Sequence, residues 1–430
     1  MKIAISGATG YIGGHLCEYF AKQKHEIVPL QRALFYHNAI DSLTRRLEGC
    51  AVVINLAGAS INKRWTAGYK QEMYNSRIDV TRQLVQAIKT TQNKPQLFIS
   101  TSAVGYYSSE GTHDEYNGTK GEGFLSDLCQ DWEKAATECP QEVRTAIIRL
   151  GVVFSTNGGA LQQMLRPLIL TRISAIIGHG KQPFPWIGIQ DLCRAIDYII
   201  GHKELRGSIN LTVPQHTNQK QLAHTLARAY GALFTFPIPR IFFRILYGER
   251  ASFITDGQTV RPSKLLDSGF EYSFPTIESL LNITDHETVN ELDVQRYMGK
   301  WYEIARYENK FEKEISKATA TYTLQPGGYI KVENAGYRNG VLQRAVGRAK
   351  QPDKADPGKL KVTFFLWFYA DYYILELDKE NYNYALVGSS SDKYLWILSR
   401  TPQLSEEVLG HLLQKIERRG YDTGKLLFRQ

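Results

Sequence analysis

At 430 residues the chain is longer than one ordinary hydrophobic core supports, and its length points to two or three domains. A hydrophobic fraction of 43% beside 22% charged residues excludes a disordered or fibrous chain. The net charge of +9 is spread thinly, with 30 basic against 24 acidic residues before His286 and 22 against 19 from there on; with no basic tail or block, it fits mild attraction to anionic ligands or surfaces and argues against a nucleic-acid partner.

The first predicted unit is strand, tight turn and helix over Lys2–Gly14. A short apolar run ends in Gly7, Gly10 and Gly13, spaced three apart, and flows into an amphipathic segment. Glycine at the first position permits the turn, at the second lets backbone N–H groups approach a pyrophosphate, and at the third lets the helix pack close to the strand. The helix start then supplies aligned amides and the positive end of its dipole. Gly7, Thr9, Gly10, Tyr11, Ile12 and Gly13 are therefore candidate cofactor-binding residues of a dinucleotide site. A second strand, Glu26–Leu30, ends at Gln31-Arg32 with no acidic residue beside it. An acid at this place bonds a ribose 2′-hydroxyl and an arginine accommodates a 2′-phosphate, so Arg32 favours NADP(H) over NAD(H).

Ala51–Gly58 is a continuous apolar run ending in small residues, as a buried parallel strand at a ligand crevice would be, which makes Leu56, Ala57 and Gly58 candidate cofactor contacts. Gln96–Ser102, Thr145–Leu150 and Ser208–Thr212 repeat the pattern, with helices predicted over Arg77–Thr91, Asp191–Gly201 and Asn218–Tyr230. This alternation predicts a doubly wound parallel sheet. Arg77 fits either a phosphate or carboxylate of cofactor or substrate, or a pair with an acidic neighbour. A looser lobe follows, punctuated by Pro237, Pro239, Pro262 and Pro275. Within it Ile238–Tyr247 carries Arg240 and Arg244 on one helical face. The commoner form of such a stretch is a buried helix with a wet edge; the arginines alternatively fit weak contact with lipid headgroups or an acidic partner.

Gly7-x-x-Gly10-x-x-Gly13, Asn55-Leu-Ala-Gly58 and Ser100-Thr-Ser-Ala-Val-Gly-Tyr-Tyr107 resemble the extended short-chain dehydrogenases/reductases. Ile61–Thr66, Ser76-Arg-Ile, Asp131-Trp-Glu133, Arg149-Leu-Gly-Val-Val, Gly158-Gly-Ala-Leu, Gly248-Glu249 and Val260–Phe270 narrow the resemblance to the epimerase-family proteins described as nucleoside-diphosphate-sugar epimerases, over about residues 1–282. The resemblance implies that Ser102 orients substrate as a catalytic residue. The superfamily's Tyr-x-x-x-Lys is missing from the helix Phe124–Glu133, and the narrower family is like that too. A literal Tyr116-Asn-Gly-Thr-Lys120 lies among Gly118, Gly121 and Gly123, which argue for a loop. Tyr106 and Tyr107 fit packing or contact with the nicotinamide, and Gly188 stands where the family has a histidine.

Around Ile283–Leu292 the pattern changes to a short polar connection, and about eight short strands follow one another, the spacing of an up-and-down antiparallel barrel able to hold one small ligand. Ser405 fits the cap of a final helix whose stripe is Val408, Leu409, Leu412, Leu413 and Ile416. Gly299-Lys-Trp301-Tyr302, Ala370-Asp371-Tyr372-Tyr373 and Leu395–Pro402 resemble the three signature regions of bacterial and apolipoprotein-D-like lipocalins, over about Leu292–Gln430. The resemblance implies that Trp301 and Arg400 pack together at the closed end of the barrel and that the barrel binds a fatty acid, lysophospholipid or similar lipophilic molecule. Phe364, Phe365, Trp367, Phe368 and Tyr369 are candidate mouth or pocket residues.

The expected fold is thus an α/β Rossmann-type doubly wound parallel sheet with a small C-terminal lobe, then an all-β eight-stranded antiparallel lipocalin barrel with a C-terminal helix. Its expected divisions are 1–233 for the NADP(H)-binding domain, 234–282 for the family's extension, 283–291 for a linker and 292–430 for the barrel. The leading reading is an oxidoreductase or epimerase-like enzyme acting on a small molecule; the other is a non-catalytic NADP(H)-sensing lipid-binding protein. Five cysteines without a CxxC pair fit a reduced compartment and suggest no metal site. With no leader before Lys2 and no apolar run near the ~18 residues of a membrane span, a cytoplasmic protein is expected.

Overall fold

The computed structural model describes residues 1–35, 39–156, 158–248, 255–309, 314–354, 356–365 and 369–428. Contacts divide the chain into two compact units, Met1–Leu281 and Asn282–Gln430. The front unit is built on six parallel strands, β1 (Lys2–Ser6), β2 (Glu26–Leu30), β3 (Val52–Asn55), β4 (Leu97–Ala103), β5 (Arg144–Leu150) and β6 (Gly207–Leu211), in spatial order β6-β5-β4-β3-β1-β2. The chain steps outward from β1 to β2 and then returns to β3 on the other side of β1. The strand order therefore reverses between β1 and β3, which is where open α/β sheets hold their ligands.

Helices α1 (Tyr11–Lys22), α2 (Ile40–Leu47), α3 (Ala67–Thr90), α4 (Phe124–Thr137), α5 (Gly159–Thr171), α6 (Ile189–Gly201) and α7 (Gln219–Tyr230) accompany the strands. One apolar cluster joins β1, β3, β4, β5 and β6 to α1 and α6, and another packs α2 and α3 on the opposite face. Helix α3 starts ten residues before the predicted Arg77, because Thr66 caps it by accepting a hydrogen bond from the Tyr69 amide. Helix α8 (Arg240–Tyr247) differs from a buried helix: Ile241, Phe242 and Ile245 are exposed. Glu249 of the quoted Gly248-Glu249 pair lies outside the described residues.

The second unit is a closed barrel of β7 (Gly299–Tyr307), β8 (Ser316–Leu324), β9 (Ile330–Arg338), β10 (Val341–Lys350), β11 (Lys359–Thr363), β12 (Ala370–Leu377), β13 (Tyr384–Gly388) and β14 (Leu395–Ser399). Each strand pairs antiparallel with the next, and β7 pairs with both β8 and β14, which closes the ring. Inward residues include Trp301, Tyr322, Val332, Ile374, Val387 and Leu398. The outer face of β7, β12, β13 and β14 is covered by α9 (Glu406–Arg418), whose Ser405 accepts from the Val408 amide as its cap. One strand was not foreseen: β15 (Leu426–Phe428) adds to β7 over Ala305–Tyr307. Trp367 and Phe368 lie outside the described residues, whereas Phe364, Phe365 and Tyr369 are exposed.

The stretch read as a linker, 283–291, lies along the barrel. The Val289 amide donates to Ile374 O at 2.9 Å, and Asp285 accepts from the Arg419 guanidinium at 3.1 Å. Arg419, at the end of α9, also donates to Glu376 at 2.8 Å, and Lys415 reaches the other oxygen of that carboxylate at 2.7 Å. Burial pushes the Glu376 carboxyl up, but the Arg419 charge and the hydrogen bonds from Lys415 and Arg419 outweigh it and hold the pKa below its ordinary value. A carboxylate depressed in the folded state adds stability above its unfolded pKa of about 4.3 and loses it as pH falls through the folded value. The urea midpoint of the barrel is therefore expected to fall between neutral pH and about pH 3, and Glu376→Gln to flatten that dependence. Identical pH profiles for the two proteins would remove Glu376 from the account.

Candidate functional site

The crevice between β1 and β3 is shaped by backbone approaches that only glycine allows. Gly7 sits at φ +70°, and a Cβ there would stand 2.8 Å from the Leu56 carbonyl oxygen. At Gly13 a Cβ would fall 2.2 Å from the Gly7 oxygen, so α1 is pressed directly onto the turn. The Gly10 amide closes that turn on Gly7 O at 2.9 Å, and Gly10 caps α1 with no side-chain hydrogen bond. The first-turn amides of Tyr11, Ile12 and Gly13, with the positive end of the helix dipole, are thus left at the head of the crevice. Thr9 is exposed on the turn, and Leu56, Ala57 and Gly58 leave β3 opposite it, the first two half-buried. Arg32 is exposed at the end of β2, at the start of a short 3-10 turn, Arg32–Phe35.

A buried polar chain fixes the floor. Ser6 Oγ donates to Asn55 Oδ1 at 2.6 Å, tying β1 to β3, and Asn55 Nδ2 donates to Thr81 Oγ1 at 2.8 Å. Thr81 passes its own proton to the Arg77 carbonyl at 2.7 Å and accepts from Trp132 Nε1 at 2.9 Å. Arg77 pairs with no acidic side chain among the described residues. Its guanidinium donates to the Met73 and Ala59 carbonyls at 3.1 and 3.0 Å and lies over the Trp132 ring, which clamps the loop after β3 against α3. A Cβ on Gly58 would come within 2.9 Å of that guanidinium.

Ser102 lies near the end of β4, fully buried, and donates to Glu133 Oε1 at 2.7 Å. Glu133, on α4, also takes a two-pronged pair from Arg149 of β5, Nε to Oε1 at 2.8 Å and Nη2 to Oε2 at 2.7 Å. The remaining arm, Nη1, donates to the Tyr107 hydroxyl at 2.7 Å, which donates to Asn210 Oδ1 at 2.9 Å. The Tyr106 ring stacks on the guanidinium with 3.7 Å from Cζ to its centroid, and the Tyr106 hydroxyl has no hydrogen-bond partner among the described residues. Cys129, one turn before Glu133 on α4, has its thiol pushed up by burial to about 11 and is uncharged near neutrality. Tyr116 is exposed in a loop, 3.4 Å from Asp267, and Lys120 belongs to an isolated bridge with Tyr107, so neither projects from a helix. Glu133, Arg149 and Asn210 went unassigned at the sequence level. The available signal was a lone arginine inside the apolar strand Thr145–Leu150, which burial permits only with a counter-charge.

In the barrel, the Arg400 guanidinium lies 3.9 Å over the Trp301 ring and donates to the carbonyls of Arg296 and Lys300. Gly299, at φ +97°, brings the chain under that guanidinium, and a Cβ there would be 3.2 Å from Nη1. Tyr302 is half-buried with Lys300 Nζ 4.8 Å from its ring centroid, and Asp371 pairs with Lys361 at 2.6 Å. The Tyr372 hydroxyl meets the hydroxyls of Tyr297 and Tyr322 at 2.8 and 2.9 Å inside the barrel. A second buried polar pair is Glu303 with Arg306, each about nine-tenths buried.

Residues 3–212 match the NAD dependent epimerase/dehydratase family, 238–282 match a domain of unknown function (DUF1731), and 292–430 match the lipocalin-like domain. An epimerase family protein of Staphylococcus epidermidis is 34% identical over 293 residues, covering 65% of this chain and 98% of its own length. The epimerase family protein SDR39U1 of Mus musculus is 33% identical, over 65% of this chain and 98% of its own. Among solved structures, human epimerase family protein SDR39U1 (isoform 2), crystallised with NADPH, matches at TM-score 0.60 and 30% identity, over 65% of this chain and 98% of that one. A nucleoside-diphosphate sugar epimerase from Corynebacterium glutamicum shares the fold at TM-score 0.53 and 24% identity, over 65% of this chain and 57% of that one. The crevice residues and the matches run over the same stretch: the chain belongs to the epimerase family, and carries a lipocalin-like domain beyond it.

Proposed function

We propose that the front unit binds NADP(H) in the crevice between β1 and β3 and acts as an oxidoreductase or epimerase-like enzyme on a small molecule. The observation that carries this reading is the Gly7–Gly13 turn pressed against Leu56, which leaves uncapped helix amides where a pyrophosphate needs donors. Arg32 at the end of β2, in a stretch of sequence (27–40) that contains no Asp or Glu, supports the 2′-phosphate form, as does the NADPH held by the human relative. When bound, the nicotinamide supplies or accepts a hydride. Arg77 holds the loop of Leu56–Gly58 that borders the cofactor. Ser102, its proton given to Glu133, offers the substrate an acceptor. Tyr106, whose ring lies against the Arg149 guanidinium, is proposed as the group that moves a proton.

The barrel is proposed to hold a small lipophilic ligand, with the interior phenols of Tyr297, Tyr322 and Tyr372 as its polar contacts. A second reading, an NADP(H)-sensing protein without turnover, is favoured by the Ser102–Glu133 bond, which engages the serine hydroxyl hydrogen, and by a helix α4 that lacks Tyr-x-x-x-Lys.

The test is a fluorescence titration with NADPH and NADH, repeated with a fatty acid present. NADPH is expected to bind more tightly, and Arg32→Ala to weaken NADPH about tenfold or more while changing NADH little, since one charge-assisted phosphate contact is lost. Equal losses for both cofactors would refute the role of Arg32, and no binding of either would refute the site. A fatty-acid-dependent change in NADPH affinity would establish coupling, which must then act in both directions.

A further inference from the structure

We infer that the front unit docks on anionic lipid membranes through a basic, apolar face formed by the end of α5, the strand Phe234–Ile238 and α8. The apolar part is unusually large for a surface. Ile169 and Leu170 on the last turn of α5 are 55% and 85% exposed, Leu233 and Phe234 are 71% and 66%, and Ile241, Phe242 and Ile245 on α8 are 56%, 55% and 74%. These residues form one continuous stretch of surface. The Leu233 amide bonds the Arg172 carbonyl at the end of α5, Phe234–Ile238 pairs in parallel with Ile173–Ile177, and the Gly178 amide bonds Ile238 O just before α8 begins. Soluble surfaces scatter such residues singly, and a contiguous patch of them marks an interaction site.

Charge decides the partner. No Asp or Glu occurs between Glu142 and Asp191, nor between Glu204 and Glu249, whereas Arg166, Arg172, Lys181, Lys220, Arg228 and Arg240 lie in the segments that build and flank this face. Among the described residues, Arg228 pairs with Glu278 at 3.5 Å and Arg240 with Asp256 at 3.8 Å. Arg166, Arg172, Lys181 and Lys220 are exposed. The face therefore has basic residues at both ends of an apolar stripe of Leu, Ile and Phe, the composition that inserts at the boundary of headgroups and acyl chains of anionic bilayers. A second copy of the chain fits worse, since a two-fold contact would set this cationic set against itself. No helix among the described residues is long and apolar enough to cross a membrane.

The experiment is co-sedimentation of the full chain with vesicles of phosphatidylcholine alone and of phosphatidylcholine with about 30% phosphatidylglycerol, at low and at physiological salt. Binding is expected to the anionic vesicles only, and to weaken as salt screens the arginines. Phe242→Ser with Ile245→Ser, and separately Arg166→Glu with Arg172→Glu, are each expected to reduce the bound fraction about tenfold, with NADPH affinity unchanged as the sign of an intact front unit. The inference is overturned by no binding to anionic vesicles, by equal binding to neutral ones, or by variants that bind as well as the parent. It is overturned equally by a dimer in sedimentation velocity that the Phe242/Ile245 variant converts to monomer without any vesicle binding in the parent.

Discussion

Glu133→Ala is expected to destabilise the front unit by about 3–5 kcal/mol, the range for removing one partner of a buried ion pair. The Arg149 guanidinium is nearly enclosed, between the Tyr106 ring, the Tyr107 hydroxyl and the Glu133 carboxylate. Without the carboxylate it loses its two-pronged hydrogen bonding to charged oxygens and stays positive, because a guanidinium does not give up its proton in a protein interior. Ser102 loses its acceptor in the same step. Glu133→Gln keeps one acceptor and the shape, so it should cost less than the alanine. Replacing both charges, Glu133→Leu with Arg149→Met, should recover part of the loss, since the cost lies in the orphaned charge more than in the pair. Denaturant unfolding of the three variants measures this ordering. A double variant worse than Glu133→Ala, or an alanine variant within about 1 kcal/mol of the parent, would show that the network is not what holds β4, β5 and α4 together.

Elements that depend on local pattern were legible in the sequence, and partners that depend on tertiary contact were not. The glycine spacing named the turn because each glycine answers a backbone demand: φ +70° at Gly7 and a 2.2 Å approach at Gly13 admit no other residue. The barrel strands were legible because inward and outward residues alternate, and Trp301 and Arg400 because a family resemblance paired them. Nothing periodic, however, says which carboxylate meets Arg149 or that Ser102 spends its proton on Glu133. Those contacts join α4 to β4 and β5 across spans of 31 and 16 residues. Nor does periodicity say which stripe stays uncovered: Ile238–Tyr247 reads as a helix with an apolar face whether that face is packed, as in α6, or exposed, as in α8. The segment 283–291 read as a linker from its polarity, while Asp285 and Val289 find their partners in Arg419 and Ile374, more than 80 residues further on.

Gly13→Ala is expected to weaken NADPH binding about a hundredfold, and Gly14→Ala to leave it unchanged, although the two sites are adjacent on one helix. The difference is steric. The methyl added at Gly13 would fall 2.2 Å from the Gly7 carbonyl oxygen and 2.8 Å from the Ala8 Cα, both backbone atoms of the turn, and neither can rotate away as a side chain could. The helix must therefore lift from β1 by about an ångström, carrying the amides of its first turn with it, and a displacement of that size is enough to spoil hydrogen bonds to a phosphate. At Gly14 a Cβ meets nothing within 4 Å. There the substitution acts only on the helix, where alanine is favoured over glycine by about 0.5–1 kcal/mol, so Gly14→Ala should be slightly more stable than the parent with the same NADPH affinity. Fluorescence titration of both variants with NADPH separates the two effects. If Gly13→Ala bound NADPH as the parent does, the close approach of α1 to the turn would be packing alone, and the crevice between β1 and β3 would lose its claim to the cofactor.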